Sequence, residues 1–149
     1  MIRIEPAGIK DLNNLVKLER ICFPVDQWPL LDLIGALTMP GLVRLKARTE
    51  IEPMVGFVSG TVNKKQATGW ITTIAVLPNF QNHGIGGQLL RACEELMKVN
   101  HIKLTVRKTN KSAIALYEKN GYGVVEIWKA YYLDGEDAIL LQKSVDFIG

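Results

Sequence analysis

An α/β fold, with a mixed central sheet of about seven strands flanked by about four helices, is what this sequence predicts. Three observations predict it. Apolar positions recur at strand-like spacing in some stretches of the 149 residues and at helix-like spacing in others, and the two alternate in the second half. Three strand-like runs separated by turns stand together in the middle of the chain. The last of them leads through a glycine-bearing turn into an amphipathic stripe, the order of a strand feeding a right-handed crossover helix.

Each element has its own justification. Residues 1–4 alternate apolar and polar and read as a short strand. Leu12, Leu15, Val16 and Leu18 sit at helical spacing, in a helix that stops near Cys22, Phe23 and Pro24. A short helix over 30–39 is closed by Pro40 and Gly41. Strands follow at 42–49 and 54–62, joined by a turn at 50–53, and a third at 69–77 after a turn at 64–68. Ile85, Leu89, Cys93 and Leu96 form one apolar stripe, with Leu90 and Met97 beside it, so 84–100 is an amphipathic helix. Residues 101–107 read as a strand and 112–120 as a helix, with Asn110 as N-cap and Gly121 as the left-handed residue past its end. Strands at 124–133 and 138–143 complete the sheet.

Composition narrows the function classes. Apolar residues make up 48% of the chain and charged ones 22%, proportions of an ordered globular protein. A net charge of +3 is too mild to imply a nucleic-acid partner. It fits either a local positive site for an anionic ligand or a solvated surface. No apolar run approaches the roughly 20 residues that span a bilayer, and no signal-peptide segment opens the chain, so no membrane partner is expected. Cys22, Cys93, His83 and His101 show no metal-ligand spacing, and a lone disulfide would be unusual at this size. The expectation is a reduced, cytoplasmic protein without a metal.

The stretch "NFQNHGIGGQLL" carries the chemistry. Three glycines, Gly84, Gly86 and Gly87, crowd the start of a helix, where they cost helix stability. A bare backbone there lets phosphate oxygens approach the free amides of the first helical turn, and the helix dipole favours negative charge. A P-loop would need Gly-Lys-Ser/Thr, which is absent, and a dinucleotide fingerprint would need glycine where Leu89 stands. A tight strand-to-helix turn without a ligand is the alternative.

Gln81-Asn82-His83-Gly84-Ile85-Gly86 resembles the Q/R-x-x-G-x-G/A signature of the GCN5-related N-acetyltransferase superfamily, which holds the pyrophosphate of acetyl-CoA. "TTIAVLPNF" before it resembles that family's fourth strand, and "VRKTNKSAIALYEKNGY" resembles its second cofactor segment. "YYLDGEDAILL" and "CFPV" are similar to the branch that acetylates protein N-termini. The resemblance implies a single N-acetyltransferase domain over 1–149 that moves an acetyl group from acetyl-CoA to a primary amine, foremost the N-terminal α-amine of a protein or peptide.

The same resemblance implies the roles of individual residues. Backbone amides of Ile74, Ala75 and Val76 would meet the acetyl carbonyl and pantetheine. Asn82, His83, Gly84, Ile85, Gly86 and Gly87 would carry the pyrophosphate through the main chain. Asn110 would touch the cofactor, cap its helix, or both. Tyr117 would give a proton to the CoA thiolate, a task that suits a phenol with an ordinary pKa near 10; the alternative is a ring packed beneath the cofactor. Tyr131 and Tyr132 would close over the peptide backbone, and Phe23, Pro24 and Val25 would wall the pocket for its first side chain. The departure from the family pattern is Thr105, where bacterial-type relatives carry a glutamate as general base. A water held near Thr105, Glu19 or Glu126 would then take the proton. Acetylation of small amines or aminoglycosides, and non-catalytic acetyl-CoA binding, stay open as other readings.

Overall fold

The computed structural model describes residues 1–146, so the last three positions of the expected 1–149 domain lie outside the described residues. β1 (Arg3–Pro6) pairs antiparallel with β2 (Val43–Arg48), from Arg3 opposite Arg48 to Pro6 opposite Leu45. It starts later than the apolar alternation at 1–4 suggests, because pairing rather than pattern sets a strand's limits, and a sheet edge tolerates proline. Between these strands run α1 (Leu12–Cys22) and α2 (Leu30–Thr38). The chain continues through β3 (Gly56–Asn63), β4 (Thr68–Val76), α3 (Ile85–Met97), β5 (His101–Arg107), α4 (Lys111–Lys119), β6 (Gly123–Trp128) and β7 (Ala138–Ser144).

The seven strands form one mixed sheet in the order β1-β2-β3-β4-β5-β7-β6. β4 and β5 are parallel, as the intervening α3 requires, and the other neighbours are antiparallel. Helices cover both faces. Leu15, Leu18, Leu33 and Leu37 of α1 and α2 pack against Phe57 and Ala75 on one side. On the other, Ile85, Leu89, Leu90, Cys93 and Met97 of α3 join Tyr117 and Tyr122 over Val58, Ile71, Ile102, Leu104 and Leu141. Each large apolar side chain buried this way contributes about 1.5–3 kcal/mol, which is why the stripe of α3 outweighs the glycines that begin it.

Some limits differ from the expected ones. α3 ends at Met97 rather than residue 100 because Lys98 adopts left-handed backbone, φ +54°. β6 ends at Trp128 rather than residue 133: Ala130 at φ +50° and Gly135 at φ +89° turn the chain into a loop. Tyr131 and Tyr132 therefore sit in the β6–β7 loop and not on a strand. The Asn110 cap and the left-handed Gly121, φ +94°, stand where the pattern put them.

Candidate active site

The sheet opens at its centre. β4 and β5 pair only from Thr68–His101 to Trp70–Lys103, yet β4 continues to Val76 and β5 to Arg107. β4 stays paired with β3 throughout, apart from one irregularity: Ser59 faces Thr73 and Gly60 faces Ile71, leaving Thr72 as an extra residue. Thr72 donates from Oγ1 to the Ser59 carbonyl at 3.0 Å, and its hydroxyl lies 2.8 Å from the Ser59 hydroxyl. Such a bulge bends its strand and increases its twist, here where β4 parts from β5.

Backbone direction beyond the bulge follows from alternation. The Leu77 amide donates to Val55 on the β3 side at 2.8 Å, so the Ala75 amide shares that direction and those of Ile74 and Val76 face the gap. The Val76 carbonyl accepts from Gln81 Nε2 at 3.0 Å and from Cys22 Sγ at 3.5 Å, groups that stand in for a neighbouring strand. This corrects the expected set of three amides: Ile74 and Val76 present theirs to the gap, while Ala75 turns its amide to β3 and its methyl into the α1–α2 core.

At the end of β4 lies the glycine turn. A 3-10 turn (Pro78–Phe80) and left-handed residues at Asn82, φ +64°, and Gly84, φ +80°, reverse the chain into α3. Gly84 is the N-cap and supplies no side-chain acceptor, and Gln88 makes the bond back to the Gly84 carbonyl, at 3.1 Å. The amides of Ile85, Gly86 and Gly87 are thus the uncapped donors of a helix N-terminus. Gly86 serves a second purpose, since a Cβ there would come within 3.0 Å of Leu116 on α4. His83 bends back on the turn, its Nδ1 2.8 Å from the Gln81 carbonyl, so its ring belongs to the turn.

α4 brings Asn110 and Tyr117 to the same opening. Asn110 accepts from the Ala113 amide at 3.2 Å, an N-cap that leaves its Nδ2 without a protein partner among the described residues. Tyr117 is only 6% exposed, and its hydroxyl makes no hydrogen bond to another described residue. Because no fully buried side-chain oxygen or nitrogen among the described residues lacks a partner, that hydroxyl must reach open space. Burial, and then the nearby Tyr132 phenol, push the Tyr117 pKa upward, so it stays protonated at neutral pH.

The opposite face of the gap is organised by Arg107, a residue sequence reasoning missed. Its Nε and Nη2 each donate to Asp26 at 2.6 Å, and its Nη1 donates to Asp134 at 2.9 Å and Glu136 at 2.8 Å. Thr109 adds backbone and hydroxyl bonds to Glu136. One guanidinium at the end of β5 therefore ties the α1–α2 loop to the β6–β7 loop, and it lies 4.2 Å from the Tyr132 ring centre. The acidic run "DGED" was the only signal in the sequence, and it does not reveal its partner.

These ties separate the two loop tyrosines. Tyr132 is half-buried, with the Thr105 side chain near enough to its phenol to offset part of the pKa rise that burial causes, whereas Tyr131 is 53% exposed and packs on Trp128 and Tyr132. Phe23 packs into the α1–α2 core, and Val25 is 74% exposed next to Asp26. The two candidate carboxylates also separate. Glu126 stands on the outer strand in register with Leu140 and Thr105, two strand spacings or roughly 10 Å from Thr105, and accepts from Trp128 Nε1. Glu19 is buried, one turn before Cys22, and accepts from the Trp28 amide at 2.7 Å. Desolvation raises the Glu19 pKa, against the lowering effect of the Trp28 bond.

Comparison with known proteins agrees with this geometry. A family model described as acetyltransferase (GNAT) family matches residues 15–122. An N-alpha-acetyltransferase of Saccharolobus solfataricus is 33% identical, over 93% of this chain and 90% of that protein. The catalytic subunit NAA10 of the Arabidopsis thaliana N-terminal acetyltransferase A complex is 28% identical, over 97% and 79%. The Escherichia coli ribosomal-protein-S18-alanine N-acetyltransferase superposes with a TM-score of 0.87 at 26% identity, over 100% of this chain and 97% of that one. Open strand pair, uncapped helix start and shared sequence lead to one conclusion: this chain belongs to the GNAT family of acetyltransferases.

Proposed function

We propose that this protein is an acetyl-CoA-dependent N-acetyltransferase of a single domain, acting on the N-terminal α-amine of proteins or peptides. The observation that carries the reading is the meeting of the unpaired β4 edge, the uncapped start of α3 and the Tyr117 hydroxyl, without a partner among the described residues, around one opening. Relatives named N-alpha-acetyltransferase, matched over most of their length, support the choice of acceptor.

The residues present fit acetyl-CoA. Uncapped amides at Ile85, Gly86 and Gly87, with no Cβ at Gly84, Gly86 or Gly87 to block approach, suit a pyrophosphate. Asn82 and His83 contribute main chain to the same turn, and Asn110 offers its Nδ2 at the start of α4. The Ile74 and Val76 amides suit an amide-bearing arm and a polarised carbonyl. Bound acetyl-CoA supplies an activated acetyl thioester, whose C–S bond breaks as the C–N bond to the amine forms. Tyr117 is the proton donor to the departing sulfur, kept protonated by burial.

Proton removal belongs to the acceptor side. Thr105 cannot act as a base near neutral pH, but its hydroxyl and the neighbouring Tyr132 phenol can hold a water between them. Glu19 is the carboxylate we favour over Glu126, because it lies one turn before Cys22, whose thiol meets the Val76 carbonyl at the gap, and burial makes it more basic. Tyr131, Tyr132, Phe23, Pro24 and Val25 line the side from which a peptide would enter. No metal enters this scheme, and two unpaired cysteines accord with a cytoplasmic setting.

Turnover of acetyl-CoA against peptides beginning with Ser, Ala or Met, beside spermidine and an aminoglycoside, tests the proposal. Acetylated peptide supports it. Turnover confined to the small amines, or absent throughout, would refute the assignment of acceptor.

A further inference from the structure

A second polar cluster lies beneath the site, on the α3–α4 side of the sheet. The Tyr122 hydroxyl donates to Glu94 Oε2 at 2.7 Å, and Lys143 Nζ donates to Glu94 Oε1 at 2.8 Å. Tyr122 and Glu94 are both buried, and the ammonium of Lys143 lies 5.7 Å from the Tyr122 ring centre. The three residues come from three elements: Glu94 from α3, Tyr122 from the α4–β6 connection and Lys143 from β7. A buried carboxylate is costly unless paired and hydrogen-bonded, and here both oxygens are engaged. The same helix α3 begins with the glycine turn, and β7 pairs with β5 at Thr105.

Tyr122 connects this cluster to the proton donor. Its amide donates to the Tyr117 carbonyl at 3.0 Å, and the two rings meet edge to face with centres 6.0 Å apart. Among the described residues the Tyr117 hydroxyl has no hydrogen-bond partner to hold its ring in place. Its orientation is therefore set by packing, and Tyr122 is an aromatic neighbour fixed at both ends, by its amide and by its hydroxyl. An apolar ring at position 122 could pack equally well but would lack the second anchor.

We infer that Glu94, clamped by Lys143, is a positioning residue that acts through Tyr122 to hold Tyr117 at the angle needed to protonate the leaving thiolate. The inference rests on the reading of Tyr117 as proton donor. Catalysis is sensitive to displacements of this size, since misplacing a catalytic group by about 1 Å costs up to a hundredfold.

The test uses Tyr122→Phe, which keeps the ring but loses the hydroxyl anchor, and Glu94→Gln, which keeps the shape but gives up the Lys143 ion pair and replaces one of the two acceptor oxygens by an amide NH2. With acetyl-CoA and the best peptide of the panel, each should lower kcat about tenfold while the KM for acetyl-CoA stays within about twofold. In a Tyr117→Phe background the same changes should cost nothing further, because residues that act through one another are not additive. A ligand-free readout accompanies the kinetics: the chain has four tyrosines, and 3-fluorotyrosine labelling gives each a fluorine resonance. The Tyr117 line, assigned by its loss in Tyr117→Phe, should shift or broaden in Glu94→Gln without acetyl-CoA. Full kcat with an unmoved Tyr117 line in both variants, or fully additive losses, would overturn the inference while leaving Tyr117 as donor. Full kcat in Tyr117→Phe itself would instead refute the donor reading and this inference with it.

Discussion

Replacing Tyr117 with phenylalanine separates catalysis from stability, because the structure predicts opposite signs for the two. The hydroxyl has no partner among the described residues, so its removal breaks no hydrogen bond there, while the ring keeps its place against Tyr122 and the α3 core. A polar group largely withdrawn from water without a partner costs about 1–3 kcal/mol, and this one still reaches the gap, so the lower end applies. Tyr117→Phe should therefore melt at the same temperature or up to about 2–4 °C higher, the shift that about 1 kcal/mol produces at this chain length. Turnover should fall by roughly one to three orders of magnitude, as for a lost general acid, with acetyl-CoA affinity nearly unchanged. Differential scanning fluorimetry, steady-state kinetics and calorimetric titration with CoA measure the three quantities on one preparation. A variant that melts markedly lower would mean that the hydroxyl has a structural partner. One that keeps full kcat would mean that Tyr117 only packs.

The other predictions concern the turn, the base and the loops. Acetyl-CoA and CoA should raise the melting temperature, and Gly84→Val should weaken both ligands together by straining a φ of +80°. Gly86→Val should do so by driving a side chain into Leu116, and equal binding in both variants would remove the anion site from the account. Glu19→Gln keeps an acceptor for the Trp28 amide. Because burial raises the carboxyl pKa in the fold, ionisation above the usual range near pH 4 opposes folding, so the variant should be at least as stable at pH 7. If Glu19 is the base, the variant loses the acid limb of kcat/KM below the α-amine ionisation near 8, and an unchanged limb would return the step to water at Thr105. Arg107→Ala should raise the peptide KM far more than that for acetyl-CoA, since Asp26, Asp134 and Glu136 lose their common partner. Equal effects on both substrates would place the guanidinium in the cofactor site instead.

What the sequence disclosed was what local periodicity encodes. The stripe of α3, the glycines before it, the Asn110 cap and the order of elements along the chain all follow from spacing within a few residues. The opening between β4 and β5 has no local signal, because nothing in residues 71–76 says that their neighbour has turned away. Arg107 was invisible for a related reason: Asp26 lies 81 positions before it, and pairing at that distance leaves no trace in a window. The adjacent Tyr131 and Tyr132 looked equivalent until the loop turned one to solvent and the other to Thr105. Glu19 and Glu126 were likewise equal as letters, and only the fold buries the one on α1 and leaves the other exposed on the outer strand.

The most direct measurement uses a peptide with two competing amines, a free N-terminus and an internal lysine, incubated with acetyl-CoA and read by tandem mass spectrometry. One added acetyl group is expected, on the N-terminal residue, and none when that terminus is blocked. Acetyl on the lysine side chain, or an unmodified peptide beside an acetylated polyamine or aminoglycoside, would contradict it.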